Sequence, residues 1–162
     1  MPRDTTSEPN PVHRLLDGSA LRDGYRLSFL ANYFTGPVYS VIERETGLTR
    51  PEYATLLCLN HRDGLAATDV SLLAGYPKNS VSRGVKLLIR KGLIEKRADP
   101  RDGRRATLHA TAAGTRLYQD TVAGFVAQQE RMLGCLNAAE RRQLDRLLGK
   151  LVEASPGWID AY

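Results

Sequence analysis

The 162 residues, 42% hydrophobic and 25% charged, have the size and composition of one globular domain able to bury a real core. Apolar runs of only a few residues predict no transmembrane helix, and the polar, proline-containing stretch Met1–Pro11 has no apolar signal region. Two cysteines, Cys58 and Cys135, do not make a disulfide framework, so a reducing cytoplasm is the expected setting. The formal net charge of +5 is unevenly spread: residues 77–105 hold ten Lys/Arg against three acids, a net of +7, leaving −2 for the rest. A concentrated basic patch on a near-neutral body suits a polyanion such as nucleic acid.

In chain order, residues 1–18 carry three prolines and mostly polar side chains, and read as a flexible arm. Leu21, Tyr25, Phe29 and Tyr33 then recur every four residues, and Val38, Val41 and Ile42 continue a helical stripe to about Thr46. Gly36-Pro37 interrupts it, which predicts a kink or a break. Thr49-Arg50-Pro51-Glu52 starts the next helix, with Thr49 as cap, and that helix stops near Asn60. Thr68 is the expected cap of a short helix from Asp69 to Ala74 that buries Val70 and Leu73 and ends at Gly75.

Pro77 to Lys91 reads as a helix with Pro77 at its first position and Val81, Val85, Leu88 and Ile89 as the buried stripe. Gly92 follows as the stop. Leu93–Ala98 and Arg105–Ala110 are short extended segments joined by the turn-rich Asp99-Pro100-Arg101-Asp102-Gly103-Arg104, and together they predict a hairpin. Thr111 caps a long helix, and Asn137 with Glu140 forms a capping box for a final helix carrying Leu144, Leu147, Leu148, Leu151 and Val152. The predicted fold class is mainly α with a small β-wing.

A short helix, a tight turn, a second helix with a polar and basic face, then a basic hairpin is the winged helix-turn-helix plan. Ser, Asn, Lys and Arg at the start of the second helix reach base edges in a major groove, and an arginine at the hairpin tip suits a neighbouring minor groove.

The chain here resembles the MarR family of transcriptional regulators. The resemblance lies in Asn79-Ser80-Val81-Ser82-Arg83-Gly84-Val85-Lys86-Leu87-Leu88-Ile89-Arg90-Lys91-Gly92-Leu93-Ile94, then Asp99-Pro100-Arg101-Asp102-Gly103-Arg104 and Thr111-Ala112-Ala113-Gly114. Ala110 stands where the family usually has Leu, and Gly36-Pro37 departs from its smooth first helix. The resemblance implies an arm at 1–20, a helical dimerisation region at 21–48 and 111–155, a DNA-binding lobe at 49–110 and a tail at 156–162. It implies a homodimer on a pseudo-palindromic operator of double-stranded DNA, with Lys78, Asn79, Ser80, Ser82, Arg83 and Lys86 facing DNA from the helix and Arg101 and Arg104 from the wing. Asp99 and Arg101 look like the pair that braces the wing.

The family also implies release by a small aromatic or phenolic effector, for which Tyr33, Tyr39, Arg50 and Tyr53 are candidates. The same rings read, in preference, as dimer core. An enzyme is not expected, because no P-loop, dinucleotide turn or nucleophile elbow occurs. His13, His61 and His109 lack ligand spacing, so neither a metal nor another cofactor is expected, and Cys58 reads as a buried structural thiol. A winged module that binds protein, or DNA non-specifically and without an effector, is the alternative; the basic face argues against the protein-binding version.

Overall fold

The structure, a computed structural model, describes residues 10–99 and 105–159. It separates into two compact units, residues 1–118 and 119–162. The first begins with a short helix, α1 (Pro11–Leu15), inside the segment expected to be a flexible arm. The Asn10 side chain accepts from the Val12 amide at 3.0 Å to start it, and Leu16 is buried just beyond.

Helix α2 (Arg22–Thr46) continues through Pro37, so the predicted break does not occur. Pro37 removes one amide, but Gly36 before it has no Cβ to clash with the proline ring, which lowers one part of the usual cost of proline within a helix. The hydroxyls of Thr35 and Ser40 donate to the Ala31 and Gly36 carbonyls at 2.7 and 3.0 Å, adding bonds around the gap. The helix ends at Gly47, which takes φ +68 while its amide donates to the Glu43 carbonyl at 2.8 Å.

In α3 (Arg50–His61) the Glu52 carboxylate accepts from the Thr49 amide at 2.7 Å, as the cap sequence predicts. Helix α4 (Ala67–Ala74) starts two residues earlier than expected. Asp69 reaches back to the Ala66 amide at 3.2 Å, which makes Ala66 rather than Thr68 the cap residue. Val70 is buried but Leu73 is exposed, because the short helix turns only one narrow face to the core. Helix α5 (Lys78–Arg90) has Pro77 just outside it rather than in its first turn.

The chain then pairs β1 (Ile94–Ala98) with β2 (Ala106–Ala110) in an antiparallel hairpin, Ile94 opposite Ala110 and Ala98 opposite Ala106. Leu65, from the loop after α3, adds a bridge to Leu108. The core gathers Leu48, Tyr53, Leu56, Leu59, Val70, Val81, Leu88, Ile94 and Leu108, all nearly inaccessible to solvent. Each such side chain contributes roughly 1.5–3 kcal/mol relative to exposure.

Helix α6 (Ala112–Leu133) opens where Thr111 clamps the turn after α5. The Thr111 hydroxyl donates to the Gly92 carbonyl at 2.7 Å and accepts from the Gly114 amide at 3.1 Å, while the Thr111 amide donates to the Leu93 carbonyl at 3.0 Å. Gly114 packs so closely there that a Cβ would lie 2.0 Å from the Leu93 oxygen. In the second unit, α7 (Ala138–Ala154) follows the later part of α6. Its cap Asn137 accepts from the Ala139 and Glu140 amides, and Glu140 accepts from the Asn137 amide at 2.8 Å. A last turn of helix, α8 (Pro156–Ile159), occupies part of the expected tail.

Candidate nucleic-acid interface

The α4–α5 turn fixes the direction of α5. Gly75 takes φ +66 after α4, and the Ser71 hydroxyl donates to the Tyr76 carbonyl at 2.6 Å, folding Gly75-Tyr76-Pro77 tightly. At about 100° per residue, Val81, Gly84, Val85 and Leu88 fall within an arc of roughly 100°, and all four are buried. Lys78, Asn79, Ser82, Arg83 and Lys86 fall on the opposite side, within an arc of about 140°, and all five are exposed. Ser80 lies between the arcs and is half-buried.

Ile89, expected in the buried stripe, is 39% exposed. Its position is about 20° from that of Lys78 around the helix, so it belongs to the polar side, and Val81, Leu88 and Val85 fill the core without it. The close crossing of α3 and α5 comes from Gly84, where a Cβ would lie 3.2 Å from the Glu52 side chain. Beside this crossing an open cleft of about 600 Å³ is lined by Glu52, Arg83, Lys86, Leu87, Ile89 and Arg90. Three cations against one carboxylate favour an anionic occupant such as phosphate.

The hairpin lies next to α5 in the chain and continues the positive surface. Lys96, Arg97 and Arg105 are exposed, and Arg97 is held by Glu95 two residues before it, with its Nε donating at 2.9 Å. The Asp99 amide donates to the Arg105 carbonyl at 3.0 Å, carrying the ladder one step past the strands. Arg101 and Arg104, expected at the wing tip, lie outside the described residues, and with Arg101 goes the expected Asp99–Arg101 brace. At the base of the wing the structure brings together a group that the sequence did not single out. His109 Nδ1 lies 2.7 Å from Asp63 Oδ2, and its Nε2 lies 2.9 Å from the Thr107 hydroxyl. Burial alone would push the Asp63 carboxyl up, but the hydrogen bond and charge of His109, with the Ala110 and Gly64 amides, hold it below the usual carboxylate range.

Of the four effector candidates, the structure gathers three. The Arg50 guanidinium lies 5.3 Å from the centre of the Tyr39 ring, and Tyr39 meets Tyr53 edge-on at 6.0 Å. Tyr53 is fully buried, so its ring offers no accessible surface. Burial, with Tyr76 and Tyr53 nearby, pushes the Tyr39 phenol up to about 12, and Arg50 only partly opposes this. Tyr33 is largely exposed and stacks on Phe29 at 4.5 Å. Cys58 is buried and burial raises its thiol; Cys135 is exposed. Among the described residues no His, Cys, Asp and Glu cluster could hold a metal ion, and no helix is long and apolar enough to cross a membrane.

A buried-backed helix with a basic outer face, entered through a tight turn and followed by a basic hairpin, defines a winged helix-turn-helix DNA-binding protein. The model of the MarR family matches residues 46–105. The transcriptional regulator PetP of Rhodobacter capsulatus is 28% identical over 137 residues, 84% of this chain and 80% of that protein. A transcriptional repressor of Mycobacterium tuberculosis is 28% identical over 115 residues, 71% of this chain and 83% of that one. The PcaV regulator of Streptomyces coelicolor, solved in complex with its natural ligand, aligns with a TM-score of 0.67 at 26% identity, covering 86% of this chain and 96% of that structure. The chain is thus similar to MarR-family helix-turn-helix transcriptional regulators, with the family model matching its winged lobe and the relatives aligning over most of its length.

Proposed function

We propose that this chain is a cytoplasmic repressor that binds a pseudo-palindromic operator as a homodimer and is released by a small aromatic or phenolic effector. The observation that carries the reading is the exposed arc of Lys78, Asn79, Ser82, Arg83 and Lys86, backed by buried Val81, Val85 and Leu88. Side chains of these types read base edges and phosphates from a helix laid in a major groove, with Ser80 at the margin and Arg101 and Arg104 extending the contact from the wing. The repressor named among the relatives supports the sign of regulation.

Dimerisation is supported by apolar surface on both expected dimer helices. Leu27, Leu30, Tyr33 and Val41 are exposed on α2, and Leu147, Leu148, Leu151 and Val152 on α7. Two copies related by a two-fold axis would set their α5 helices about 34 Å apart, one turn of duplex. Tyr39 and Arg50, above buried Tyr53 and with Tyr33 on the same α2 helix, supply ring faces, a phenol and a guanidinium suited to an aromatic acid. The ligand-bound relative favours such a site. An effector preferring a dimer geometry unlike the DNA-bound one would weaken operator binding, and DNA would weaken effector binding by the same factor.

The test is titration of the purified protein against duplex from upstream of its own gene and against a scrambled duplex, at several salt concentrations, followed by added phenolic and benzoic acids. Selective binding by a dimer, steep in salt and reversed by one of the acids, is the expected result. Equal, weak binding to both duplexes overturns the operator reading, and selective binding untouched by any acid overturns the effector reading.

A further inference from the structure

Asp63, His109 and Thr107 form a chain of contacts outside the surfaces assigned to DNA, effector or dimer. Asp63 sits in the turn after α3, forty-six residues before His109. Its Oδ2 lies 2.7 Å from His109 Nδ1, and its Oδ1 accepts from the Ala110 amide at 3.3 Å. On the far side of the imidazole, Nε2 lies 2.9 Å from the Thr107 hydroxyl, which also lies 3.5 Å from the Arg97 carbonyl on β1. Thr107 and His109 are two apart on β2 and share one sheet face, while Leu108 between them is buried on the other. The imidazole packs against Gly64, where a Cβ would lie 3.4 Å from Cε1. The His109 side chain is only 15% exposed although Asp63 is 60% exposed, so the contact is partly shielded from water.

We propose that Asp63 and His109 are positioning residues for the wing: with Thr107 they fasten both strands of the hairpin to the turn after α3 and so fix where its basic residues meet DNA. This rests on the reading of the chain as an operator-binding protein. Two five-residue strands are marginal as an isolated hairpin, and the Leu65–Leu108 bridge holds only one strand. The bracket adds restraints at Asp63–His109, Asp63–Ala110 and Thr107–Arg97, reaching β1 as well as β2. It also survives a change of protonation. With neutral imidazole, Nδ1–H donates to Asp63 and the Thr107 hydroxyl donates to Nε2. With imidazolium, Nε2–H donates to Thr107, whose hydrogen turns to the Arg97 carbonyl. Lys96 and Arg97 ride on β1 so held, and Arg105 stands one residue before β2.

The test compares Asp63→Ala, His109→Phe and the double variant with the unaltered protein. His109→Phe keeps the ring volume against Gly64 and removes both polar contacts. Each single variant is expected to weaken binding to duplex from upstream of the chain's own gene about tenfold, with a salt slope shallower by about one. The penalty for changing base pairs under α5 should stay unchanged, and the double variant should be no worse than either single. In the DNA-free proteins, hydrogen exchange across 94–98 and 106–110 should quicken in both variants while α3 and α5 keep their protection.

Unaltered affinity and slope in both single variants would overturn the proposal. So would a loss of base discrimination equal to the loss of affinity, which places the damage in α5. Should the unaltered protein prefer no duplex, the operator reading fails separately. The exchange measurement then decides the bracket by itself, and unchanged wing exchange sinks it.

Discussion

Replacing Gly114 by Ala tests the packing logic of the whole lobe. An added Cβ would lie 2.0 Å from the Leu93 oxygen, 3.0 Å from its carbonyl carbon and 3.1 Å from a Leu56 methyl. Ordinary carbon–oxygen contact is near 3.3 Å, so the helix start and the turn must separate by about 1.3 Å. Neither side is a flexible side-chain tip. The Leu93 carbonyl accepts from the Thr111 amide, and the Gly92 carbonyl accepts from the Thr111 hydroxyl. Overpacking of this kind costs about 1–3 kcal/mol, and loss of one or both hydrogen bonds adds about 1 kcal/mol each. The expected destabilisation is therefore about 3 kcal/mol, seen as a fall in Tm of roughly 6–12 °C for a chain of this length. Urea and thermal unfolding of the variant measure it. Gly149→Ala on α7 is the control, since nothing beyond the helix's own neighbouring backbone lies within 4 Å of a Cβ there. That change should stabilise by about 0.5–1 kcal/mol. A Gly114→Ala protein within about 0.5 kcal/mol of the parent would refute the argument.

Arg83→Ala should cost about 1–3 kcal/mol of operator binding and relax discrimination at one base position. Lys86→Ala should weaken all duplexes alike and lower the salt slope by about one; anisotropy titrations against single-base operator variants separate the two. The Asp63 carboxyl is held below its unfolded value, so its contribution to stability is present at neutral pH and is lost as pH falls through the folded value. Asp63→Asn should therefore flatten the acid limb of urea stability below about pH 4, and an unchanged limb counts against the pairing. The Tyr39 phenol, raised to about 12, keeps its proton in the folded chain after the unfolded chain has lost it. Stability should accordingly decline from about pH 10 upward, and Tyr39→Phe should reduce that decline in an alkaline unfolding series.

Much of this architecture is legible in the sequence where one local rule governs. Thr49 with Glu52 and Asn137 with Glu140 are caps that depend on three-residue spacing, and both form. Gly92 stops α5 at φ +67, and the two wing strands fall within one residue of their predicted starts. Errors arise where two local rules compete. Asp69 reached back to Ala66 and displaced Thr68 as cap, and the glycine before Pro37 removed the Cβ part of the clash that normally ends a helix. Leu73 and Ile89 fit a helical stripe by spacing alone, yet the lobe closes without them. The Asp63–His109 contact could not be read at all, because forty-six residues separate the partners and neither belongs to a local motif. The DNA-facing arc of α5 was legible because amphipathic periodicity and charge agreed along one helix.

The Lys91 ammonium, just past α5, donates to the Thr46 carbonyl at the end of α2 at 2.9 Å. Cations at a helix C-terminus are favoured by the macrodipole, so this contact ties the end of α2 to the end of α5. Twenty-five residues make α2 about 37 Å long, and a tilt of about 3° about its far end carries its pinned end through roughly 2 Å. A stroke of that size exceeds the tolerance of a bidentate contact to a base, so the fixed seat of α2 against the end of α5 is a condition for α5 to hold its register on a duplex.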